Sequence, residues 1–382
     1  MRLFHLSDLH IGLKLLNRDM REDQEYILDQ ITKFAAEKRP DVIMIAGDIY
    51  DRAVPSAEAV EVFDHFVESL WGILPEASIM MISGNHDSAS RVDCFRSVLA
   101  RERLYMIGQP PRREGEFMEK IVQQDAYGKV NFYLLPFVRP SMVREIVGTR
   151  EDGSLFSYHE TVKKLIEREK IDERERNVFV SHQFYVPEGA KAEDVERMDT
   201  EICTVGNIDA VGAELLAGFD YAALGHIHKS MKAGSERIRY CGTPIAVSVS
   251  EAGQEKGILM VDLAEKGVAD ITRLPLKPLR EVRVIRGNLS EVLELGCRDY
   301  VTVILTDQAD LDIIDMRERI RLAFPNLLEI RRETRKRADY ESEIHGQALL
   351  EPFELCCLFL KDMEEKDKAV MRDVINAVKG AL

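Results

Sequence analysis

Apolar residues in the first 275 positions form short continuous runs that alternate with longer amphipathic stretches. Residues 41–46 (DVIMIA) and 78–82 (SIMMI) are almost entirely apolar, which is typical of strands covered on both faces. The stretches 20–38 and 56–70 instead have helical spacing, and the second begins at a serine that can cap a helix. Further strands are predicted at 3–6, 131–135, 178–181, 221–224, 237–241 and 257–263. The pattern predicts an α/β fold with helices on both faces of a central sheet.

A second pattern begins after the prolines at 275 and 278. Strands are predicted at 282–285, 300–305 and 327–330, and helices at 289–295 and 313–324, which gives a small β-α-β-α-β unit. A basic stretch at 331–337 follows. Two helices are predicted beyond it, at 352–363 and 366–382, and the first is strongly apolar. An exposed apolar helix favours aggregation, so this helix is expected to pack either on the small β-α-β-α-β unit or on a partner protein.

Composition and charge narrow the classes of function. No apolar run reaches the roughly 20 residues that span a bilayer, and the N-terminus lacks the apolar core of a secretion signal, so we expect a cytoplasmic location. The six cysteines contain no Cys-x-x-Cys pair, so no zinc or redox motif is indicated. The formal charge of −15 disfavours a nucleic-acid partner unless local basic surface or bound cations supply the attraction.

Five polar motifs each follow a predicted strand directly. They are Asp8-Leu9-His10, Gly47-Asp48-Ile49-Tyr50-Asp51, Gly84-Asn85-His86-Asp87, His182 and Gly225-His226-Ile227-His228. Ligands of open α/β sheets bind beyond the carboxyl ends of the strands, so these motifs can converge on one site. The glycines before Asp48, Asn85 and His226 are expected to let the backbone turn sharply after each strand.

The residue types in these motifs suit two divalent ions. The predicted ligands are Asp8, His10, Asp48, Asn85, His182, His226 and His228. Carboxylate, amide and imidazole donors together favour Mn²⁺ first, with Mg²⁺, Fe and Zn as alternatives. Two ions about 3.5–4 Å apart can clamp a phosphoester, and Asp48 is the best candidate for a bridging carboxylate.

Residues beside the predicted ligands have expected supporting roles. His86 is predicted to donate a proton to the leaving oxygen, and the alternative is a purely structural histidine. Asp51 and Asp87, placed behind the ligands, are expected to orient His86 or its neighbours. Arg52 and Arg139 lie near the same loops and are candidates for contacts with nucleic-acid phosphates.

Several other polar residues carry no motif. His5 lies within a predicted strand and is expected to be a core or cross-strand residue. His65, His159 and His345 are interpreted as structural or surface residues. The basic stretch 331–337 either touches DNA phosphates or is a solvated linker.

The order of the five motifs resembles that of the calcineurin-like metallophosphoesterase superfamily. The resemblance implies a sandwich of central β-sheets flanked by helices. It also implies Asp8, His10, Asp48 and His228 as the ligands of one metal ion. For the other ion it implies Asp48, Asn85, His182 and His226.

Longer segments resemble the SbcD family, the nuclease subunits of bacterial SbcCD complexes. The segments are SDLHIG at 7–12, GDIYD at 47–51 with Pro55-Ser56, LPFVRP at 135–140 and YCGTP at 240–244. The resemblance implies a nuclease domain at 1–275, a capping and DNA-binding domain at 279–332, a linker at 333–344 and partner-binding helices at 345–382.

The same resemblance implies what the protein does. It implies a Mn²⁺-dependent 3′→5′ exonuclease on double-stranded DNA ends and an endonuclease at hairpins, acting in DNA repair and recombination. It also implies an SbcC-type ATPase as partner, in a heterotetramer built on a homodimer. The motifs alone leave two alternatives open: a two-metal phosphoesterase acting on nucleotides or phosphoproteins, and a non-catalytic scaffold that keeps the fold.

Overall fold

The computed structural model describes residues 1–187, 189, 209–307, 313–333 and 366–371. The chain divides into two compact units, residues 1–332 and 333–382. In the second unit only residue 333 and the helical residues 366–371 are described, so the predicted helix at 352–363 lies outside the described residues. No described helix is both long enough and apolar enough to cross a membrane.

A six-stranded sheet contains the N-terminal strand of the first unit. In spatial order its strands are β16 (Val268–Leu276), β15 (Lys256–Leu263), β1 (Arg2–Leu6), β4 (Val42–Ala46), β5 (Ser78–Ile82) and β6 (Leu104–Ile107). The strands β1, β4, β5 and β6 are parallel to one another. β15 is antiparallel to β1, and β16 is antiparallel to β15. The carboxyl ends of β1, β4 and β5 therefore share one edge.

A second six-stranded sheet is built from the middle of the chain. In spatial order its strands are β13 (Met231–Lys232), β14 (Ile238–Tyr240), β12 (Tyr221–Gly225), β9 (Arg176–His182), β8 (Gly128–Leu135) and β7 (Glu119–Asp125). The inner four strands are parallel, and the two edge strands are antiparallel to their neighbours. Two further pairs of two-residue strands are β2 (Lys14–Leu15) with β3 (Arg18–Asp19), and β10 (Tyr185–Val186) with β11 (Val211–Gly212).

The two sheets pack face to face, which explains the apolar strands. Val42, Met44 and Ala46 of β4 share a buried cluster with residues of the second sheet. Ile43 and Ile45 belong to a different cluster, shared with the helices α1 (Arg21–Lys38) and α2 (Ala57–Ile73). The expectation of one central sheet with helices on both faces is therefore wrong, and the sandwich implied by the resemblance is confirmed. An apolar run shows that a face is covered but not what covers it.

Smaller helices complete the first unit. They are α3 (Ala89–Val92), α4 (Arg96–Leu99), α5 (Arg144–Val147) and α6 (Tyr158–Arg168). A capping box between Ser157 and Glu160 begins α6, which packs Val162 and Leu165 on the outer face of the second sheet. This helix is not among the predicted elements, although Val162 and Leu165 are spaced as on one face of a helix and Ser157 with Glu160 has the spacing of a capping box.

A three-stranded parallel sheet follows the sandwich. It consists of β17 (Val282–Gly287), β18 (Tyr300–Leu305) and β19 (Leu327–Arg332), with α7 (Leu289–Glu294) and α8 (Ile313–Ala323) between them. This confirms the predicted β-α-β-α-β order, and the unit has its own buried apolar cluster. The assignment of domains to 1–275, 279–332, 333–344 and 345–382 stays a prediction.

Candidate metal centre

The five polar motifs meet at one edge of the sandwich. β1, β4 and β5 of the first sheet end there, and so do β9 and β12 of the second. Two hydrogen bonds join the sheets at this edge: the backbone N–H of His226 donates to Asp8 Oδ1 at 3.0 Å, and the His182 Nδ1–H donates to the Ala46 carbonyl at 2.7 Å. All seven predicted ligands therefore lie in one region.

Four predicted ligands have left-handed backbone conformations. The φ values are 52° for Asp8, 44° for His10, 49° for Asp48 and 96° for His226. Such conformations are uncommon for residues other than glycine and cluster at functional sites. Hydrogen bonds between the loops hold two of them, because the N–H of Asp8 donates to the Gly47 carbonyl and that of His10 to the Asp48 carbonyl, each at 3.0 Å.

Glycines allow the loops to approach closely. Gly47 has a φ of 87°, which confirms the expected turn. Gly84 and Gly225 lack a positive φ, so they do not form the glycine-dependent turn that the sequence predicts. A Cβ at Gly84 would lie 2.1 Å from Asp48 Oδ1, and one at Gly225 would lie 2.0 Å from the Ala46 carbonyl oxygen. These two glycines make space for the neighbouring strand ends.

Asp48 lies between the two groups of imidazoles. Its Oδ2 is 3.2 Å from His182 Nε2 and 3.9 Å from His10 Nε2, while its Oδ1 accepts a 2.8 Å hydrogen bond from the His86 backbone N–H. Burial alone would raise the pKa of this carboxyl, but His182, His10 and His86 outweigh it and lower the pKa well below the usual range. Asp48 is thus an anionic centre that both sheets contact.

The donor atoms in this cluster fit divalent ions. The His182 Nδ1–H is committed to the Ala46 carbonyl, so Nε2 faces Asn85 Oδ1 at 3.0 Å and Asp48 Oδ2 at 3.2 Å. Burial lowers the pKa of His182, but the charge of Asp48 outweighs it and raises that pKa to about 9, so without a cation Nε2 holds a proton between the two oxygens. Facing acceptors repel each other unless a proton or a cation lies between them. His226 Nδ1 lies 2.9 Å from the same oxygen, Asn85 Oδ1, so two imidazoles of the second sheet face this amide.

His10 and His228 present a second pair of facing nitrogens. Their Nε2 atoms are 3.3 Å apart, and the His228 Nδ1–H donates a hydrogen bond to Glu251 Oε1 at 3.2 Å. The buried His10 Nδ1 has no hydrogen-bond partner within the described ranges. Nitrogens directed at one point in this way are typical of metal ligands.

Three sets of side chains have ligand atoms within 4.8 Å of one another. They are Asp8 with His10 and His228, His10 with Asp48 and His86, and Asp8 with Asp48 and His182. This fold with clustered Asp and His residues can bind metal ions. The division of the ligands between two ions stays a proposal.

His86 lies at the border of the cluster and is half-buried. Its Nδ1–H donates to the Asp51 carbonyl at 3.0 Å, and its ring meets His10 edge-on at 4.9 Å between centroids. Asp51 thus contacts His86 through its backbone. The Asp87 carboxylate accepts hydrogen bonds from the N–H groups of Ile49, Tyr50 and Gly84, so it holds the backbone of two ligand loops.

Each of the two candidate arginines reaches the cluster through an intervening residue. The Arg52 side chain is 75% exposed, with its Nε 3.6 Å from Asp51 Oδ2. The exposed Arg139 stacks on Phe137 at 5.5 Å, and that ring in turn meets His182 edge-on. Arg52 contacts Asp51, whose carbonyl binds His86, and Arg139 contacts Phe137, whose ring meets the proposed ligand His182. Contacts of the two arginines with phosphates stay a prediction.

The residues without a motif occupy ordinary positions. His5 is buried between the sheets, 2.9 Å from the Tyr221 hydroxyl and 3.1 Å from the Leu224 carbonyl, as expected for a cross-strand residue. His65 is exposed on α2, and His159 accepts a hydrogen bond from the Gly212 N–H at 3.0 Å. His345 lies outside the described residues, as do residues 334–337 of the basic stretch.

Two buried charged residues near the cluster belong to none of the five motifs. Glu251 and Lys256, 1% and 7% exposed, lie behind His228. The only signal in the sequence is that Glu251 follows an apolar stretch and Lys256 begins an apolar strand. Charged residues in such positions are rarely buried unless they are paired.

Comparisons with known proteins find two matching family profiles and a similar bacterial protein. The family profile described as calcineurin-like phosphoesterase matches residues 1–230, and one described as type 5 capsule protein repressor C-terminal domain matches residues 278–364. The SbcD subunit of the SbcCD nuclease from Staphylococcus epidermidis is 30% identical over 337 residues, which cover 86% of this chain and 85% of that protein.

Solved structures give weaker similarities. The protein TT1561 from Thermus thermophilus has a TM-score of 0.41 at 11% identity, over 72% of this chain and 99% of that one. A dimetal phosphatase from Danio rerio has a TM-score of 0.39 at 12% identity, with the same coverage of 72% and 99%. These scores are too low to bear on function. The family profile over residues 1–230 and the relative covering 86% of the chain show that this protein belongs to the SbcD family of calcineurin-like phosphoesterases.

Proposed function

We propose that this protein is a Mn²⁺-dependent DNA phosphodiesterase, the nuclease subunit of an SbcCD-type complex. The observation that carries the proposal is the buried Asp48 carboxylate, which lies between imidazoles from both sheets. Hydrolysis of DNA is favoured over hydrolysis of nucleotides or phosphoproteins because the 30% identical relative is named a subunit of a nuclease.

In this proposal Asp8, His10, Asp48 and His228 hold one ion, and Asp48, Asn85, His182 and His226 hold the other. When bound, the two ions would supply positive charge to the phosphoryl oxygens and make a water molecule more acidic. Asp87 keeps the loops of Asp48 and Asn85 in place through its three backbone hydrogen bonds.

His86 has the role of proton donor in the proposed reaction. The Asp51 carbonyl can only accept a hydrogen bond, so Nδ1 of His86 keeps a proton in either charge state of the ring. The proton exchanged with the substrate is therefore the one on Nε2. Delivery of that proton to the leaving oxygen would stabilise the departing strand end.

The charge of −15 shapes the proposed mode of DNA binding. Two divalent ions add positive charge at the centre, and the exposed Arg52 and Arg139 add more beside it. An SbcC-type ATPase in the same complex would supply further contacts and raise the effective concentration of DNA. We therefore expect the isolated chain to bind DNA weakly at physiological salt.

The assembly we propose is a heterotetramer of a homodimer and two ATPase subunits in the cytoplasm. The residues Phe95 and Val98, next to and within α4, are 73% and 60% exposed, and a second copy of the chain would cover this apolar surface. The proposed partner-binding helices at 345–382 lie largely outside the described residues.

The proposed function is tested by incubating the purified chain with Mn²⁺ and an end-labelled DNA duplex or hairpin, with and without an SbcC-type ATPase and ATP. We expect nucleotides to be released from the duplex ends, the hairpin to be opened, and EDTA to abolish both activities. An Asp48→Asn variant is the matched control, because it removes the shared carboxylate charge. Hydrolysis of mononucleotides or phosphopeptides with intact DNA would contradict the choice of substrate.

A further inference from the structure

A buried ion pair lies directly behind His228. The Lys256 ammonium is 2.5 Å from Glu251 Oε2, while the other carboxylate oxygen, Oε1, is 3.2 Å from His228 Nδ1. All three side chains are at most 7% exposed. The chain His228–Glu251–Lys256 therefore runs from the metal-binding cluster into the interior.

Glu251 is held by more than these two partners. Thr243 Oγ1 donates to its Oε2 at 3.0 Å, and Ser248 Oγ donates to its Oε1 at 3.1 Å. The carboxylate thus accepts hydrogen bonds at both oxygens and cannot rotate without losing several of them.

Lys256 also supports the loop that carries His228. Its ammonium lies 2.7 Å from Thr243 Oγ1 and 3.4 Å from the backbone carbonyl of His228, and that carbonyl also accepts the Thr243 N–H at 3.1 Å. One lysine therefore contacts both the carboxylate behind the imidazole and the backbone of the same histidine.

This arrangement fixes which nitrogen of His228 faces the cluster. A carboxylate at Nδ1 keeps the proton on that nitrogen, so the lone pair is on Nε2, the atom that lies 3.3 Å from His10 Nε2. A carboxylate hydrogen-bonded to a ligand histidine also increases the basicity of the ring, and loss of such a partner typically costs about 10- to 100-fold in metal affinity.

We propose that Glu251 and Lys256 are positioning residues for His228, which orient its imidazole and set its affinity for one of the two metal ions. This inference rests on the proposed two-metal function. It concerns only the ion held by His228, so the second ion serves as an internal reference.

A purely structural role for the pair makes a different prediction. Two buried charges of opposite sign can often be replaced together by neutral side chains of similar size without loss of stability, whereas removal of one leaves the other unpaired. If the pair only filled the interior, the double variant Glu251→Gln/Lys256→Met would regain both stability and metal affinity. If Glu251 acts on His228, stability would recover and metal affinity would not.

The test is a titration of the metal-free full-length chain with Mn²⁺, monitored by isothermal titration calorimetry. Thermal unfolding of each variant is measured in parallel. We expect two ions per wild-type chain. In Glu251→Gln and in the double variant, we expect one site to weaken about 10- to 100-fold while the other keeps its affinity. Co²⁺ provides a second readout, because the absorption of the site held by His228 would change in both variants.

Asp220→Asn is the matched control. Asp220 is a buried carboxylate paired with Lys266 at 2.9 Å, at the opposite end of β12 from His226. This variant should lose stability and keep both metal affinities. Unchanged affinity of both sites in the folded double variant would overturn the positioning role and leave the proposed function intact. A wild-type chain that binds no divalent ion would overturn both proposals.

Discussion

At the scale of single residues, His86 differs from the other imidazoles of the cluster. The structure places one of its nitrogens against a backbone carbonyl and leaves the ring half-buried at the border of the site. His182, by contrast, is fully buried and contacts both Asp48 and Asn85. A proton donor needs access to substrate, whereas a ligand needs to be enclosed, and the two positions match these needs.

We expect His86→Gln to lower kcat about 10²- to 10⁴-fold while Mn²⁺ affinity stays within a factor of a few. The amide of glutamine can still donate to the Asp51 carbonyl but cannot supply a proton to the leaving oxygen. Steady-state cleavage of a labelled duplex measures the first quantity and calorimetry the second. His65→Gln, on the exposed face of α2, is the control. Loss of metal together with activity would reassign His86 as a ligand.

At the scale of secondary-structure elements, a buried ion pair joins the ends of two strands away from the metal centre. Arg176 begins β9, is 4% exposed, and binds both carboxylate oxygens of Asp125 at the end of β7, at 3.0 and 2.5 Å. Its guanidinium also donates to the Ala264 carbonyl, which follows β15 of the other sheet, at 3.2 Å. The arginine thus holds the two sheets together opposite to the cluster at His182.

We expect Asp125→Asn to reduce the free energy of unfolding by on the order of 3 kcal/mol at pH 7, because it leaves a buried guanidinium without its counter-charge. Hydrogen bonding to Arg176 lowers the pKa of Asp125 below its unfolded value of about 3.9. Its contribution is therefore fully present above that pH and is lost as the pH falls below it.

Urea unfolding from pH 7 down to pH 3 tests this prediction. The difference between wild type and Asp125→Asn should shrink as the pH falls through about 4. Asp172→Asn is the control, because that carboxylate pairs with Arg174 at an exposed position where ion pairs contribute little. A difference that stays constant with pH would argue against the ion pair as its source.

Most of the strands and the motifs that follow them could be predicted from the sequence. The continuous apolar runs of β4 and β5 and the motifs that follow them are local signals, so both the strands and the convergence of the motifs were predictable. The pairing of two sheets depends on contacts between distant residues such as His5 and Tyr221, which no local pattern records. Glu251 was missed for the same reason, because its partners His228 and Lys256 are defined by the fold.

At the scale of the whole first unit, the three-stranded sheet is tied to the sandwich through α1. Asp23 of α1 is fully buried and accepts hydrogen bonds from Arg280 at 2.5 Å and from the Tyr300 hydroxyl at 2.7 Å. The next residue, Gln24, donates its side-chain amide to the His10 carbonyl at 2.7 Å. Adjacent residues of one helix therefore contact the small sheet and a loop of the metal centre.

We expect Arg280→Met to destabilise the first unit by about 3 kcal/mol, because the buried Asp23 carboxylate loses its cation. Hydrogen exchange should increase in β17 and β18, and also in residues 9–13 if α1 transmits the change. Arg283→Met is the control, since Arg283 pairs with Asp299 at a largely exposed position and should cost less than about 1 kcal/mol. Equal effects of the two variants would show that the Arg280 contact does not hold the small sheet to the sandwich.

The position of β1 in its sheet has a consequence for the order of synthesis. β1 pairs with β4 on one side, Leu3 opposite Val42, and with β15 on the other, Leu3 opposite Val261. At roughly 5–20 residues per second, the ribosome makes the second partner on the order of ten to fifty seconds after the first strand. Throughout that interval one apolar edge of the growing sheet has no neighbour. The nascent chain therefore keeps this unpaired edge until β15 emerges, which is after His228, the last proposed ligand, has been translated.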